Sequence, residues 1–314
     1  MLRFLGRRIL AIIPVVIVVT FLVFVLIELA PGDAANTVAG DNATKKQVEA
    51  IRAELHLDEP FFQRYATWLG HAATGDFGNS YVTKEPVLST IADRAPVTLS
   101  LGLVSLVMAV GLGVVLGVIG AIRPHGIVDR GVTALSSVLL AIPSFWLALV
   151  LVLIFAVNNP IFPTIGYAPL FEDGPWQWLR HLILPAVALS LSAAATIALQ
   201  LKSALVAEEG SDYLLAARAK GLTRQSLLFK HSFKNAAVPV VTILGFRVAA
   251  LLGGTVIIET IFVLPGLGLL AQQSAVSQDV PMILGIVTVS AAFIMFVNVL
   301  VDASYGYFNP KLRV

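Results

Sequence analysis

Arg247 is the one clear charge near the middle of a long apolar run, 236 to 258, about 11 residues from either end. At that depth an arginine cannot easily snorkel, and insertion scales put its cost at a helix centre at about 2.5–3.5 kcal/mol. It must face water or a polar partner inside a helix bundle. In a water-filled path its fixed charge would attract carboxylates and repel cationic cargo; in a bundle it would pair with a backbone carbonyl or a carboxylate. The residues leave both readings open.

A second pattern lies within 206 to 235, where the chain from Asp212 reads D-Y-L-L-A-A-R-A-K-G-L-T through Tyr213 to Leu222 and Thr223. Ala216, Ala217 and Ala219 predict a short helix with small side chains, ended by Gly221. Small residues let such a helix enter a cleft on a partner, and glycine permits a left-handed cap. Arg218, Lys220 and Arg224 add polar contacts. A basic juxtamembrane helix attracted to anionic lipid is the alternative.

Covalent chemistry has little support. No G-x-x-x-x-G-K-[ST] phosphate loop, H-E-x-x-H or G-x-S-x-G occurs in the chain. The five histidines, His56, His71, His125, His181 and His231, are dispersed, and there is no cysteine to supply a thiolate ligand, a nucleophile or a disulfide. Hydrolysis, metal catalysis and nucleotide binding by this chain are therefore unsupported. Glu28, Lys202, Glu259 and Asp302 lie near the ends of apolar runs, where snorkelling or capping accounts for them.

The elements that must position these residues are membrane helices. Apolar residues fill 57% of the 314 positions and charged residues 13%, about half the share usual in soluble chains. A net charge of +2 offers no basic field for nucleic acid. Apolar runs at 9–27, 97–122, 132–157, 182–205, 236–258 and 281–302 are each long enough to span a bilayer as a helix. The first follows Arg3, Arg7 and Arg8 but lacks a small-residue cleavage site, so it reads as a retained helix. Lysine and arginine gather in alternate short loops: Arg123 and Arg130 on one side, Lys202 to Lys234 on the same side, but only Arg180 in 158–181 and none in 259–280. That asymmetry predicts both termini in the cytoplasm, with 31–96, 158–181 and 259–280 outside.

The 31–96 segment has structure of its own. Thr44 and Gln47 fit a capping box opening an amphipathic helix through Val48, Ile51 and Leu55. A second helix starts near Pro60 and carries Phe61, Phe62, Tyr65, Trp68 and Leu69, aromatics expected to pack on one another and on the membrane interface. In the second span, Gly113 and Gly117, flanked by Gly111 and Gly120, predict close approach of another helix.

One family places all these segments in one order. The chain resembles the permeases of dipeptide, oligopeptide and nickel ABC importers, with Asp212 to Leu222 similar to their EAA loop. Other matching pieces are Arg8 to Pro14, Leu55 to Tyr65, Gly75 to Gly78, Arg94 to Pro96, Ile142 to Phe145, Glu259 to Phe262, Leu264 to Gly268 and Asn309 to Arg313. Asn309 stands where the family would have Asp, and Arg247 where an uncharged side chain is usual. The resemblance implies an all-α integral membrane protein of about six transmembrane helices, a single permease domain over 1–314 with an extracytoplasmic insertion at 31–96 and a cytoplasmic coupling loop at 206–235. It further implies that Asp212, Tyr213, Ala216, Ala217, Arg218, Ala219, Lys220, Gly221 and Leu222 contact an ATPase, with Arg247 and Glu259 as pathway candidates. The implied partners are a second permease, two ATPases that bind ATP and Mg, an extracytoplasmic solute-binding protein and the lipid of a bacterial cytoplasmic membrane. No cofactor is expected in this chain. Peptides are the expected cargo; nickel, glutathione or another small solute is the alternative. A stand-alone secondary transporter would more often carry paired mid-span ionisable residues than a lone Arg247.

Overall fold

The computed structural model describes residues 2–30, 32–40, 42–208, 211–223, 245 and 253–308. Among them the regular elements are helices, with one isolated antiparallel bridge between Asn79 and Pro86. In chain order they are α1 (Leu2–Leu29), α2 (Ala34–Ala39), α3 (Lys45–Glu54), α4 (Phe61–Ala73), α5 (Val87–Ile122), α6 (Ile127–Ala141) and α7 (Ser144–Val152), which continues as a π-helix, Leu153–Asn158. Then follow α8 (Gly174–Glu208), α9 (Asp212–Ala219), α10 (Gly253–Phe262), α11 (Leu267–Val276) and α12 (Val280–Phe308).

Three of these, α5, α8 and α12 over Val280–Val301, are each long and apolar enough to cross a membrane. The pairs α6 with α7 and α10 with α11 qualify only together, bent by 92° and 87°. At 28 residues, α1 is a further apolar helix. The spanning candidate expected over 132–157 is thus a bent pair. Pro143 disfavours a helical residue before it, so Ile142 turns extended (φ −79, ψ 121) and the helix restarts after the proline. Likewise α10 runs past the expected end at 258, and the loop expected over 259–280 contains α11.

The chain folds as two compact units, one of Leu2–Thr98 with Pro265–Met295, the other of Leu99–Leu264 with Phe296–Val314. In the first, the expected capping box opens α3: the Thr44 hydroxyl accepts from the Gln47 N–H, and Gln47 Oε1 accepts from the Thr44 N–H at 2.8 Å. Pro60 sits just outside α4 as its N-cap rather than in its first turn. The α4 aromatics pack on one another and on α1. Phe21 meets Tyr65 edge-on at 5.3 Å, Phe24 lies 4.9 Å from Phe61, and Tyr65 stacks on Trp68 at 6.1 Å. Tyr65 Oη donates to the Ile17 carbonyl at 2.9 Å, so this buried phenol keeps its hydrogen bond. Glu28 pairs with Arg64 at 2.7 Å, a partner the end-of-helix reading did not supply. Farther along, the buried Asp279 carboxylate accepts from the Ser80 hydroxyl and from the Tyr81 N–H at 3.0 Å, tying the 74–86 loop to the turn before α12.

In the second unit α8 is the inner helix: 67% of its apolar window is buried, against 28% for α5. Ala193, Ile197, Leu201 and Leu205 form its core with Ala109 and Ala121 of α5. The expected close approach occurs here. A Cβ on Gly113 would lie 2.7 Å from Ile197 Cβ and 2.8 Å from the Ala194 oxygen, and one on Gly117 would lie 2.9 Å from the Ala198 oxygen, whereas Gly111 faces open space. Gly113→Ala should therefore force α5 away from α8 and lower the stability of the purified chain by about 1–3 kcal/mol, while Gly111→Ala should leave it unchanged; thermal unfolding of both variants in one detergent checks the contrast.

Candidate functional site

The segment that sequence reasoning singled out after α8 folds as α9, an eight-residue helix. Eight residues are too few to hold a helix by backbone bonds alone, so its ends and its contacts must do so. At the start, Ser211 donates its N–H to the Glu208 carbonyl at 2.9 Å and accepts from Leu214 N–H at 3.0 Å, turning the chain out of α8. The Tyr213 hydroxyl bonds the Glu208 carboxylate across the same turn. Leu214 is the anchor, only 2% exposed.

The far end closes as the sequence predicts. Gly221 has φ +81, and the Leu222 N–H donates back to the Ala217 carbonyl at 3.3 Å, the long bond of a Schellman cap. Nothing lies within 4 Å of where a Gly221 Cβ would project, so the demand on this position is conformational rather than steric. Tyr213, Ala219, Lys220, Gly221 and Leu222 are exposed and Ala217 is half-buried. The helix thus has one fixed side, at Leu214, and an open end at 219–222. The side chains of Asp212, Ala216 and Arg218, and residue Arg224, lie outside what the structure describes.

At the end of α8 that leads into α9, Lys202 is fixed by the neighbouring helix. Its Nζ donates to Asp129 Oδ1 at 2.6 Å and to Thr133 Oγ1 at 2.7 Å, both on α6, and the Asp129 side chain also accepts from the His125 N–H at 2.8 Å. The two ion-pair side chains are only 17% and 16% exposed. Sequence reasoning explained Lys202 by snorkelling and did not single out Asp129. The available signal was Asp129 in the first turn of a helix, where a carboxylate is favoured, but nothing in the spacing named a partner 73 positions away.

Of the two pathway candidates, Glu259 lies among the described residues. Glu259 is fully buried one turn before the end of α10, and its carbonyl accepts from Leu264 N–H at 2.9 Å at the bend toward α11. Arg247 lies outside the described residues. No group of three or more His, Cys, Asp or Glu side chains able to hold a metal ion occurs among the described residues.

Two family models match the chain: the binding-protein-dependent transport system inner membrane component over residues 113–314, and the N-terminal membrane component of the same systems over residues 1–102. The oligopeptide transport system permease protein AppB of Bacillus subtilis is 36% identical over 315 residues, covering all of both chains. The glutathione transport system permease protein GsiC of Escherichia coli K12 is 34% identical, covering 100% of this chain and 99% of its own. Among solved structures, a chain of the MetNI methionine ABC transporter in an inward-facing conformation is 20% identical and shares the fold, with a TM-score of 0.59 over 72% of this chain and 99% of that one. The bent spans, the glycine-packed helix pair and the capped α9 are thus parts of a multi-pass inner membrane protein, and the chain belongs to the family of binding-protein-dependent ABC importer permeases.

Proposed function

We propose that this chain forms one half of the transmembrane pathway of an ATP-driven importer for short peptides, beside a second permease. A solute-binding protein on the outer side would deliver the cargo, and two ATPase subunits would bind ATP and Mg in the cytoplasm. The chain itself would perform no covalent step. The observation that carries the reading is α9: a short helix of small residues, anchored at one side, stiffly capped and open at its far end. Peptide cargo rests on the relatives, one named for oligopeptides and one for glutathione, itself a peptide of three residues. Uptake of radiolabelled di- and tripeptides, with and without the complete transporter in cells, tests it; uptake that does not depend on the transporter rejects it.

This function requires 31–96, 158–181 and 259–280 to face outward and α9 to face the cytoplasm. The sequence has no cysteine, so single cysteines label without background. A cysteine at Asn79 should react with an impermeant maleimide in intact cells, and one at Ser211 should react only after the cells are opened. The reverse pattern rejects the topology.

The proposed role of α9 is to seat in an ATPase cleft through Asp212 to Leu222 and carry its motion into the spans. Ala217→Glu should block that seat. Gly221→Val should strain the cap by about 1–2 kcal/mol, because a β-branched residue resists the left-handed region, while Gly221→Asn should be tolerated better. Membrane insertion should persist in all three. Assembly with the ATPases or ATP-driven uptake should fall for the first two only, and unchanged uptake in both would remove α9 from the coupling path.

Arg247 is proposed as the pathway charge, with Glu259 the weaker candidate because it is fully buried. Arg247→Gln should leave assembly intact and shift the preference among anionic, neutral and cationic peptides. Reduced assembly with unaltered preference would instead make Arg247 a buried structural partner.

A further inference from the structure

The first unit has an open cavity of about 360 Å³ between α1, α4, the 74–86 loop and the start of α12. Its lining includes the apolar Phe24, Val280, Pro281 and Leu284 and the polar Arg64, Trp68, Tyr81 and Glu59. Arg64 uses Nη2 on Glu28 at 2.7 Å and lies 5.6 Å from the centre of the Phe24 ring. Its Nε, and Nε1 of Trp68, are buried and have no hydrogen-bond partner among the described residues. Two buried donors left over on lining residues of one cavity are unusual in a folded protein and call for an acceptor. Burial raises the Tyr81 pKa above that of a free phenol, which keeps its hydroxyl protonated and able to donate. The lining is therefore rich in donors around one guanidinium, of which 14% of the side chain remains exposed for a ligand to meet first.

An adjoining cavity of about 300 Å³ shares Arg64 and Val280, but its charges are already matched, Glu28 with Arg64 and Asp33 with Arg52. The first cavity differs. Glu59 is the one carboxylate among its lining residues, and it lies 3.1 Å from Nδ1 of the exposed His56 ring. That carboxylate repels a bare inorganic anion and accepts from an ammonium group. An oxyanion, an apolar side chain and an ammonium on one small molecule describe a zwitterionic peptide.

We propose that this cavity is an accessory site for a short peptide, outside the central pathway. Arg64 and Trp68 take its C-terminal carboxylate after a small shift of the Arg64 side chain, Phe24, Val280 and Leu284 take an apolar C-terminal residue, and Glu59 takes its ammonium. This assignment rests on the peptide reading of the transporter. A lipid phosphate shares the oxyanion chemistry, and the arms of the test separate the two sources.

The test uses the full chain in nanodiscs of phosphatidylcholine, with equilibrium dialysis against radiolabelled Ala-Phe. Saturable binding near one per chain is expected, and the C-terminal amide of Ala-Phe should not compete. Trp68→Phe keeps the ring packing and removes only the donor, and Arg64→Lys keeps the charge; each should weaken binding about tenfold, as loss of one hydrogen bond to a charged group does. Glu59→Gln should weaken Ala-Phe but not N-acetyl-Ala-Phe. No saturable binding, equal competition by the amide, or binding untouched by both Trp68→Phe and Arg64→Lys overturns the assignment. Displacement of Ala-Phe by phosphatidylglycerol, with lipid binding lost in the same variants, overturns it in favour of a lipid headgroup. A transporter that takes up peptides while this chain binds none overturns the accessory site alone.

Discussion

The approach of α5 to α8 at Gly113 and Gly117 sets what the second unit can be. With side chains at those two positions, the α5 backbone could not come within van der Waals reach of the Ala194 and Ala198 carbonyls. Lipid is as apolar as leucine, so helices in a membrane gain little from burying apolar surface against one another and depend on close packing instead. That closeness is what makes α8 an inner helix, with α6 and α7 on it and a row of alanines in the contact. Lys202 then follows one helical turn after the Gly117 contact with Ala198, where Asp129 can reach it. A charge pair at that depth holds only if both side chains are supported by further hydrogen bonds, and here Thr133 and the His125 N–H supply them.

The first unit solves a different problem, since it combines spanning helices with a long connecting segment. Irregular backbone near a bilayer must find its hydrogen bonds inside the protein. Asp279 does this for the 74–86 loop, receiving the Ser80 hydroxyl and the Tyr81 N–H, while Ser80 Oγ in turn accepts the Thr83 N–H at 2.9 Å. Thr98 plays the same part at the start of α11 by accepting the Leu267 N–H at 2.8 Å. Between these fixed points Val87 and Ile91 pack on Met282 and Ile286, close enough that a Cβ on Gly285 would strike Val87.

Local chemistry was legible in the sequence wherever one segment decides its own conformation. The Thr44–Gln47 box, the α4 aromatic face and the left-handed Gly221 each follow from residues within a few positions of one another. Partnerships across the chain were not. Glu28 and Arg64 are 36 positions apart, Lys202 and Asp129 73, Ser80 and Asp279 199, and no periodicity announces such pairs. The bends were hidden for a related reason: hydropathy records whether a stretch is apolar, and 132–157 is apolar whether or not it is straight. Pro143 marked the bend, but proline is tolerated inside α1, α5 and α8 at Pro14, Pro96 and Pro185, so a proline alone does not decide.

The coupling role proposed for α9 asks for a helix fixed at both ends, and α9 has a buried base and a closed tip. Its base is Leu214, withdrawn from solvent, and the Tyr213 bond to Glu208, which joins it to the last turn of α8. Its tip is closed by the Leu222 bond to Ala217 around Gly221, so the last turn cannot fray without losing that bond. Between base and tip the sequence places the small residues Ala216, Ala217 and Ala219 beside Arg218 and Lys220. In the proposed coupling role, a push on the tip would reach Glu208 through the Tyr213 bond and so the end of α8, whose Lys202 is tied to α6.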